Sequence, residues 1–252
     1  MAIRVLFVVP TLAVGGTEKQ IVEIALGLNR PLFEPAVCCL GRRGPLAAAL
    51  EKRDVPVWEI GLPRVSRTWS RADLARVPVK VARLIRDVRR FKPTIVHGLL
   101  YHGYVLGTLA GVLSGAPLVV SSRRGLSDAR RRRGLSRFAV AAVNAWTDRV
   151  IANAEAVRED TIRSERVSPG LVTVIRNGID VGPYSTSDQG RARAELGLGP
   201  EPVAIVLANF IGYKGHGYFL EAWQAVCARY PTATALLIGD GPRRPAVEAD
   251  AR

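Results

Sequence analysis

Several runs in this chain are apolar at successive positions rather than at alternate ones. Ile3–Val9, Pro35–Leu40, Val55–Ile60, Thr94–Leu99, Leu118–Ser121, Arg149–Ala152 and Val172–Ile175 are all short and rich in β-branched residues. A strand with one wet face alternates, whereas a strand covered on both faces does not. Helical stripes separate most of these runs. Ile21, Ile24, Ala25 and Leu28 recur at i, i+3, i+4 and i+7, and Leu74, Val77, Val81, Leu84, Ile85 and Val88 form a second stripe, broken early by Pro78. Tyr104–Leu113, Phe138–Trp146 and Glu155–Arg163 supply three more. This alternation predicts an α/β fold with a doubly wound parallel sheet.

Residues 98–122 carry no formal charge, which is length enough for a membrane span. They also contain glycines, a proline and His102, and they divide into strand end, helix, "SGAP" turn and strand. A buried helix–strand unit is the expectation. Residues 181–202 are polar and rich in Gly and Pro, with a short helical patch, and read as a linker. A strand at Val203–Ala208, a helix from near Lys214 and a strand at Ala233–Ile238 ending in "GDGP" follow. Three regions are therefore expected: a complete first domain over 1–180, the linker, and an incomplete second domain over 203–252. Two strands and one helix cannot bury a core of their own.

The formal charge is +14, yet only five of the 36 basic residues are Lys (Lys19, Lys52, Lys80, Lys92 and Lys214). So strong a preference for Arg reflects base composition more readily than nucleic-acid binding. Anionic small substrates or an anionic membrane surface fit the charge better. The run Arg130–Arg133 is either a solvated loop or a patch for lipid headgroups or an anionic acceptor. Cys38, Cys39 and Cys227 show no disulfide or metal spacing, and no signal peptide is legible. A reduced, cytoplasmic setting is expected, with the inner membrane face as a peripheral location.

Gly15-Gly16 lies between the first strand and a helix opening with Thr17 and Glu18. Glycine there lets main-chain N–H groups and the helix N-terminus face an anion or a sugar. The alternative is a tight turn with Thr17 as N-cap. The dinucleotide fingerprint is absent, and Gly41-Arg42-Arg43 stands where a ribose-binding acid would end the second strand, which leaves only an NADP-type reading open. The histidines are His97, His102 and His216, with no Asp-x-Asp pair and no ligand-spaced cluster, so neither metal nor cofactor is expected. His97 and His102 flank a strand's carboxyl end, where open α/β sheets bind ligands. His102 is a site candidate, while His97 reads as a satisfied, partly buried histidine. Arg123 and Arg124 lie past the fifth strand, placed to hold phosphate oxygens. Lys214 at a helix N-terminus opposes the dipole and calls for an anion.

Together these segments resemble glycosyltransferases of family 4, with the GT-B fold. Gly15-Gly16-Thr17-Glu18 is similar to that family's glycine loop. "VHGLLYHG" at Val96–Gly103 and "VVSSRRG" at Val119–Gly125 look like its acceptor-side strand ends. "RVIANAEAVRED" followed by "VIRNGID" is similar to its passage before the interdomain linker. "YKGHGYFLEAW" and "LLIGDGPRR" look like the opening of its nucleotide-binding domain. The resemblance implies two Rossmann-like domains, a nucleoside diphosphate sugar as donor, a glycan, lipid-linked or small-molecule acceptor, and metal-free transfer with retention. It implies that Gly15, Gly16, Asn209 and Lys214 meet the donor or its phosphates. Thr17, Glu18 and Arg124 would lie on the acceptor side, and His102 and Arg123 would line the reacting centre.

Two departures stand out. Asn209 occupies the position where the family usually carries an Arg, which removes a charge-assisted contact of about 1.5–3 kcal/mol. The family's paired glutamates follow the "GDGP" turn at a distance these 252 residues do not reach. Glu51 and Glu59 have the pair's spacing but lie in the first domain and read as coincidence. A crippled or truncated transferase is therefore expected. A non-catalytic acceptor- or membrane-surface-binding module and a GT-B sugar-nucleotide epimerase are the alternatives.

Overall fold

A computed structural model of the chain describes residues 2–63, 71–126, 135–185 and 188–251. The run Arg130–Arg133 lies outside the described residues. The chain divides into two compact units, 1–179 and 180–252.

The first unit alternates strands and helices in the order β1 (Ile3–Val9), α1 (Gly16–Gly27), β2 (Phe33–Cys39), α2 (Ala47–Glu51), β3 (Val57–Glu59), α3 (Arg71–Phe91), β4 (Ile95–Leu99), α4 (Leu100–Ser114), β5 (Leu118–Arg123), α5 (Leu135–Ala145), β6 (Arg149–Ala152), α6 (Glu155–Glu165) and β7 (Val172–Val174). The strands form one parallel sheet ordered β3-β2-β1-β4-β5-β6-β7. The order reverses between β1 and β4, and their carboxyl ends flank the crevice where ligands bind in such sheets.

Both faces of the sheet are covered, as the unbroken apolar runs require. Along β1, Val5, Phe7 and Val9 pack with Ile21, Val22 and Ala25 of α1 and Ala47 and Leu50 of α2. Leu6 and Val8 pack on the opposite face with Leu84 and Val88 of α3 and Ala110 of α4. Cys38 and Cys39 are buried free thiols on opposite faces, and burial pushes the Cys39 thiol up to about 12. Helix α3 runs through Pro78 without a break. The buried stripe of Leu84 and Val88 holds it despite the missing N–H.

The uncharged stretch folds as β4, α4 and β5. Among the described residues no helix is long and apolar enough to cross a membrane. Helix α4 instead lies on the sheet at backbone distance. A Cβ on Gly103 would sit 2.5 Å from the Val8 carbonyl oxygen, and one on Gly98 would meet the Tyr104 Cα and the Gly103 carbonyl. Gly107 and Gly111 continue this face, their Cβ positions 3.0 Å from Val8 and Val119 side chains. Gly115 ends the helix in the left-handed region, its amide returning to the Gly111 and Val112 carbonyls.

The second unit holds α7 (Gly182–Ser185), α8 (Gln189–Glu195), β8 (Val203–Leu207), a 3-10 turn at Gly212–Lys214, α9 (His216–Arg229), β9 (Thr234–Ile238) and α10 (Arg244–Asp250). Asp188 caps α8, accepting from the Gly190 and Arg191 amides. β8 and β9 pair in parallel. Ile205 and Leu207 are exposed, and Phe210 and Val247 are the buried apolar side chains among the unit's described residues. Helix α9 starts at His216, two residues beyond Lys214, with Gly215 as its left-handed cap.

The α4–sheet contact yields a stability prediction. Gly103→Ala must move backbone rather than a side-chain tip, and should cost about 1–3 kcal/mol in urea unfolding. A variant as stable as the native protein would contradict backbone-distance packing.

Candidate functional site

The carboxyl end of β1 leads to the glycine loop. Gly15 is the N-cap of α1 with extended backbone (φ −160°, ψ 163°), and its carbonyl accepts from the Lys19 amide. Thr17 does not cap this helix: it sits inside the first turn, and no side chain caps the terminus. The helix starts one residue earlier than the Thr-Glu signal suggests because Gly15 itself adopts the cap geometry. The Glu18 carboxylate folds back over Gly15, and burial pushes its pKa up, opposed by a hydrogen bond from its own amide. A Cβ on Gly16 would meet nothing within 4 Å. No internal contact calls for glycine at 16, so the fold alone leaves that choice unexplained.

Across the switch point, β4 ends in an unusual turn. Leu100, the first residue of α4, is left-handed with φ 60°, a costly conformation for a branched side chain. No sequence signal marks it. One residue past Tyr101, His102 is half-buried and its ring meets Tyr101 edge-on at 5.0 Å. Burial pushes its pKa down.

His97 sits deeper on β4. It is buried, its Nε2 pairs with Ser122 Oγ at 2.8 Å, and its ring lies 5.5 Å from Phe7. It is a satisfied histidine, as its position suggests.

Arg123 is the last residue of β5 rather than past it, and it and Arg124 have different fates. Arg123 is 5% exposed and turned inward. Its Nε and Nη2 bond Glu165 Oε2 at 2.9 Å, Nη2 also donates to Asn144 Oδ1 at 2.7 Å, and Nη1 donates to Ser121 Oγ at 3.1 Å. Its guanidinium carbon lies 3.7 Å from the Tyr104 ring centroid. This corrects the phosphate-holding and reacting-centre role expected of Arg123: its donors are already held by protein acceptors, and the carboxylate neutralises it. The arrangement pins β5, α4, α5 and α6 together. Arg124 goes the other way, half-buried, with Nη1 donating to Asn177 Oδ1.

In the second unit, Asn209 and Lys214 are both exposed. The Asn209 carbonyl accepts from the Ile211 amide at 2.8 Å, and the Lys214 ammonium lies 5.3 Å from the Tyr213 ring centroid. Lys214 belongs to the 3-10 turn, not to the first turn of α9. Phe210 and His216 stack with centroids 4.5 Å apart and order the segment between them. Glu51 and Glu59 are both tied to Arg43, the first through its guanidinium and the second through its amide. That pairing also occupies the Arg43 guanidinium, which an NADP-type reading would need.

His97 sets a pH dependence. Burial, and secondarily the nearby Arg124 charge, push its pKa down to about 3. The unfolded value is about 6.5, so the stability from keeping it neutral is full above that pH. It is lost as pH falls from about 6.5 towards 3, because the unfolded chain takes up a proton that the folded one refuses. The stability advantage of the native protein over His97→Asn should shrink by roughly 2–3 kcal/mol between pH 7 and pH 4 in urea unfolding. A difference that does not change with pH would contradict a buried neutral His97.

The model of Glycosyltransferase Family 4 matches residues 14–182. D-inositol 3-phosphate glycosyltransferase of Rhodococcus jostii is 28% identical over 175 residues, 64% of this chain and 39% of that protein. Alpha-maltose-1-phosphate synthase of Mycobacterium tuberculosis is 27% identical over 221 residues, 82% of this chain and 53% of that protein. The chain thus spans about two-fifths to half the length of these curated relatives. Among solved structures, Anabaena HepE in complex with UDP and glucose superposes with a TM-score of 0.79 at 20% identity, over 99% of this chain and 64% of that one. A putative UDP-N-acetylglucosamine 2-epimerase of Listeria monocytogenes superposes with a TM-score of 0.64 at 16% identity, over the whole of this chain and 66% of that one, and shares the fold. The fold is of the GT-B type, and the chain belongs to Glycosyltransferase Family 4.

Proposed function

We propose that the protein transfers a sugar from a nucleoside diphosphate sugar to a glycan, lipid-linked or small-molecule acceptor, with retention and without a metal. The observation that carries this reading is Gly16. It stands at the helix end beside the switch point, open to solvent and needed by no internal contact. A bare backbone there lets N–H groups approach a phosphate or sugar. Membership of a glycosyltransferase family and a structural neighbour solved with UDP and glucose support the same donor class.

In this reading Gly15 and Gly16 meet the donor through main chain, and Lys214 neutralises its diphosphate. Asn209 stands where a second cation would serve, so donor affinity is modest. Thr17, Glu18 and Arg124 face the acceptor, and His102 borders the reacting atoms. Arg123 positions the strand end. The activity is proposed for the protein as a whole. A peripheral place on an anionic inner membrane face suits the charge of +14.

Gly16→Ala separates ligand approach from fold. Its thermal stability should stay at or slightly above the native value, since Ala favours a helix by up to about 1 kcal/mol. UDP-glucose binding, followed by calorimetry, should weaken about tenfold or more. Lys214→Gln should weaken it about 10–100-fold through loss of a charged contact. Native affinity in both variants would overturn the donor reading.

A further inference from the structure

Arg123 and Arg124 are adjacent, and the contrast between them points to a second ligand group. Every nitrogen of the Arg123 guanidinium is held by protein oxygens. Arg124 has one such bond, to the neutral amide of Asn177, and no described carboxylate pairs with it. Its Nε–H is buried without an acceptor. Burial pushes its pKa down, and among the described residues no carboxylate offsets the loss of water. A half-buried guanidinium with a free donor and no described counter-ion is a group awaiting an anion.

A second unsatisfied atom lies beside it. The β5–β6 register pairs Arg123 with Ala152, and the Asn153 amide donates to the Arg123 carbonyl at 3.3 Å. Arg124 and Asn153 are therefore neighbours at the ends of adjacent strands. Asn153 Oδ1 is buried and has no donor. Arg124 at the end of β5 bonds Asn177 beyond β7, with β6 and Asn153 between them in the sheet order. The position thus offers an N–H donor on a cation next to a bare acceptor. An anionic oxygen satisfies the first, and a hydroxyl satisfies the second.

We infer that the carboxyl ends of β5–β7 form a subsite for an acceptor that is an anionic polyol, with Arg124 binding its phosphate or carboxylate and Asn153 Oδ1 accepting from an adjacent hydroxyl. Assigning the anion to the acceptor rests on the transferase reading; the anion itself does not. The other source of the same chemistry is the donor diphosphate.

The test is titration of the protein with glycerol 3-phosphate, inorganic phosphate, glycerol and UDP, read by calorimetry and by the side-chain resonances of Asn153 and His97. Glycerol 3-phosphate should bind more tightly than inorganic phosphate, and glycerol not at all over the same range. Arg124→Gln should weaken glycerol 3-phosphate about tenfold or more, as loss of a charged hydrogen bond does. Arg124→Lys keeps the charge and should retain part of that affinity, which guards against a folding defect in the first variant. Asn153→Ala should bring glycerol 3-phosphate down to the affinity of inorganic phosphate. Lys214→Gln should weaken UDP and leave glycerol 3-phosphate unchanged. Unchanged binding in Arg124→Gln, or no phosphate binding by the native protein, overturns the subsite. Competition between UDP and glycerol 3-phosphate, both weakened by Arg124→Gln, assigns the anion to the donor and overturns the acceptor assignment. Loss of donor binding with the Arg124-dependent affinity intact sinks the transferase reading alone.

Discussion

The close approach of α4 to the sheet governs the geometry at the carboxyl end of the first unit's strands. Gly98, Gly103, Gly107 and Gly111 remove the side chains that would otherwise separate helix from strands. The helix then starts directly at the end of β4, through the left-handed Leu100. Its opening residues include His102, half-buried, and Tyr104, which is buried against Val140 and Val143 of α5. Tyr104 lies beneath the Arg123 guanidinium and meets Tyr101 edge-on, and Tyr101 in turn meets His102. A contact path thus runs from the buried Arg123–Glu165 pair to the half-buried histidine. A wider helix–sheet spacing would break it at Tyr104.

Strand alternation divides the charges at this end of the sheet. Ser121 and Arg123 point to the face where α5 and α6 supply Asn144 and Glu165. Ser122 joins His97 on the other face, and Arg124 acts on the same histidine through its charge. One arginine is consumed by structure, and the next keeps a buried Nε–H without a protein acceptor. Burying Arg123 unpaired would cost several kcal/mol, so Glu165 is as much a part of that pin as the arginine. His97 stays neutral between these features, which spares the site a second buried cation.

Much of the fold was legible because its strands are covered on both faces. Runs such as Ile3–Val9 and Arg149–Ala152 are apolar enough to mark their own ends, and the structure places both strands at those limits. The short α2 escaped notice because five residues give no period, although Ala47 and Leu50 bury fully into the core. Pro78 suggested a break that tertiary packing overrides. At the site, sequence position put Arg123 and Arg124 at a strand end but could not say which face each side chain takes. That choice depends on Glu165 and Asn177, both more than forty residues away in the chain. Asn153 was visible only within a family-like segment. Its significance comes from a missing hydrogen-bond partner, which only coordinates reveal.

In the proposed transfer, the carboxyl end of the sheet at the β1–β4 switch point, and not another surface, takes the sugar donor. A crystal structure of the protein with UDP-glucose tests this most directly. The diphosphate or sugar is expected within hydrogen-bonding distance of the main chain at Gly15–Gly16. A ligand bound at the amino end of the strands, or one leaving the Gly16 amide to water, would contradict it.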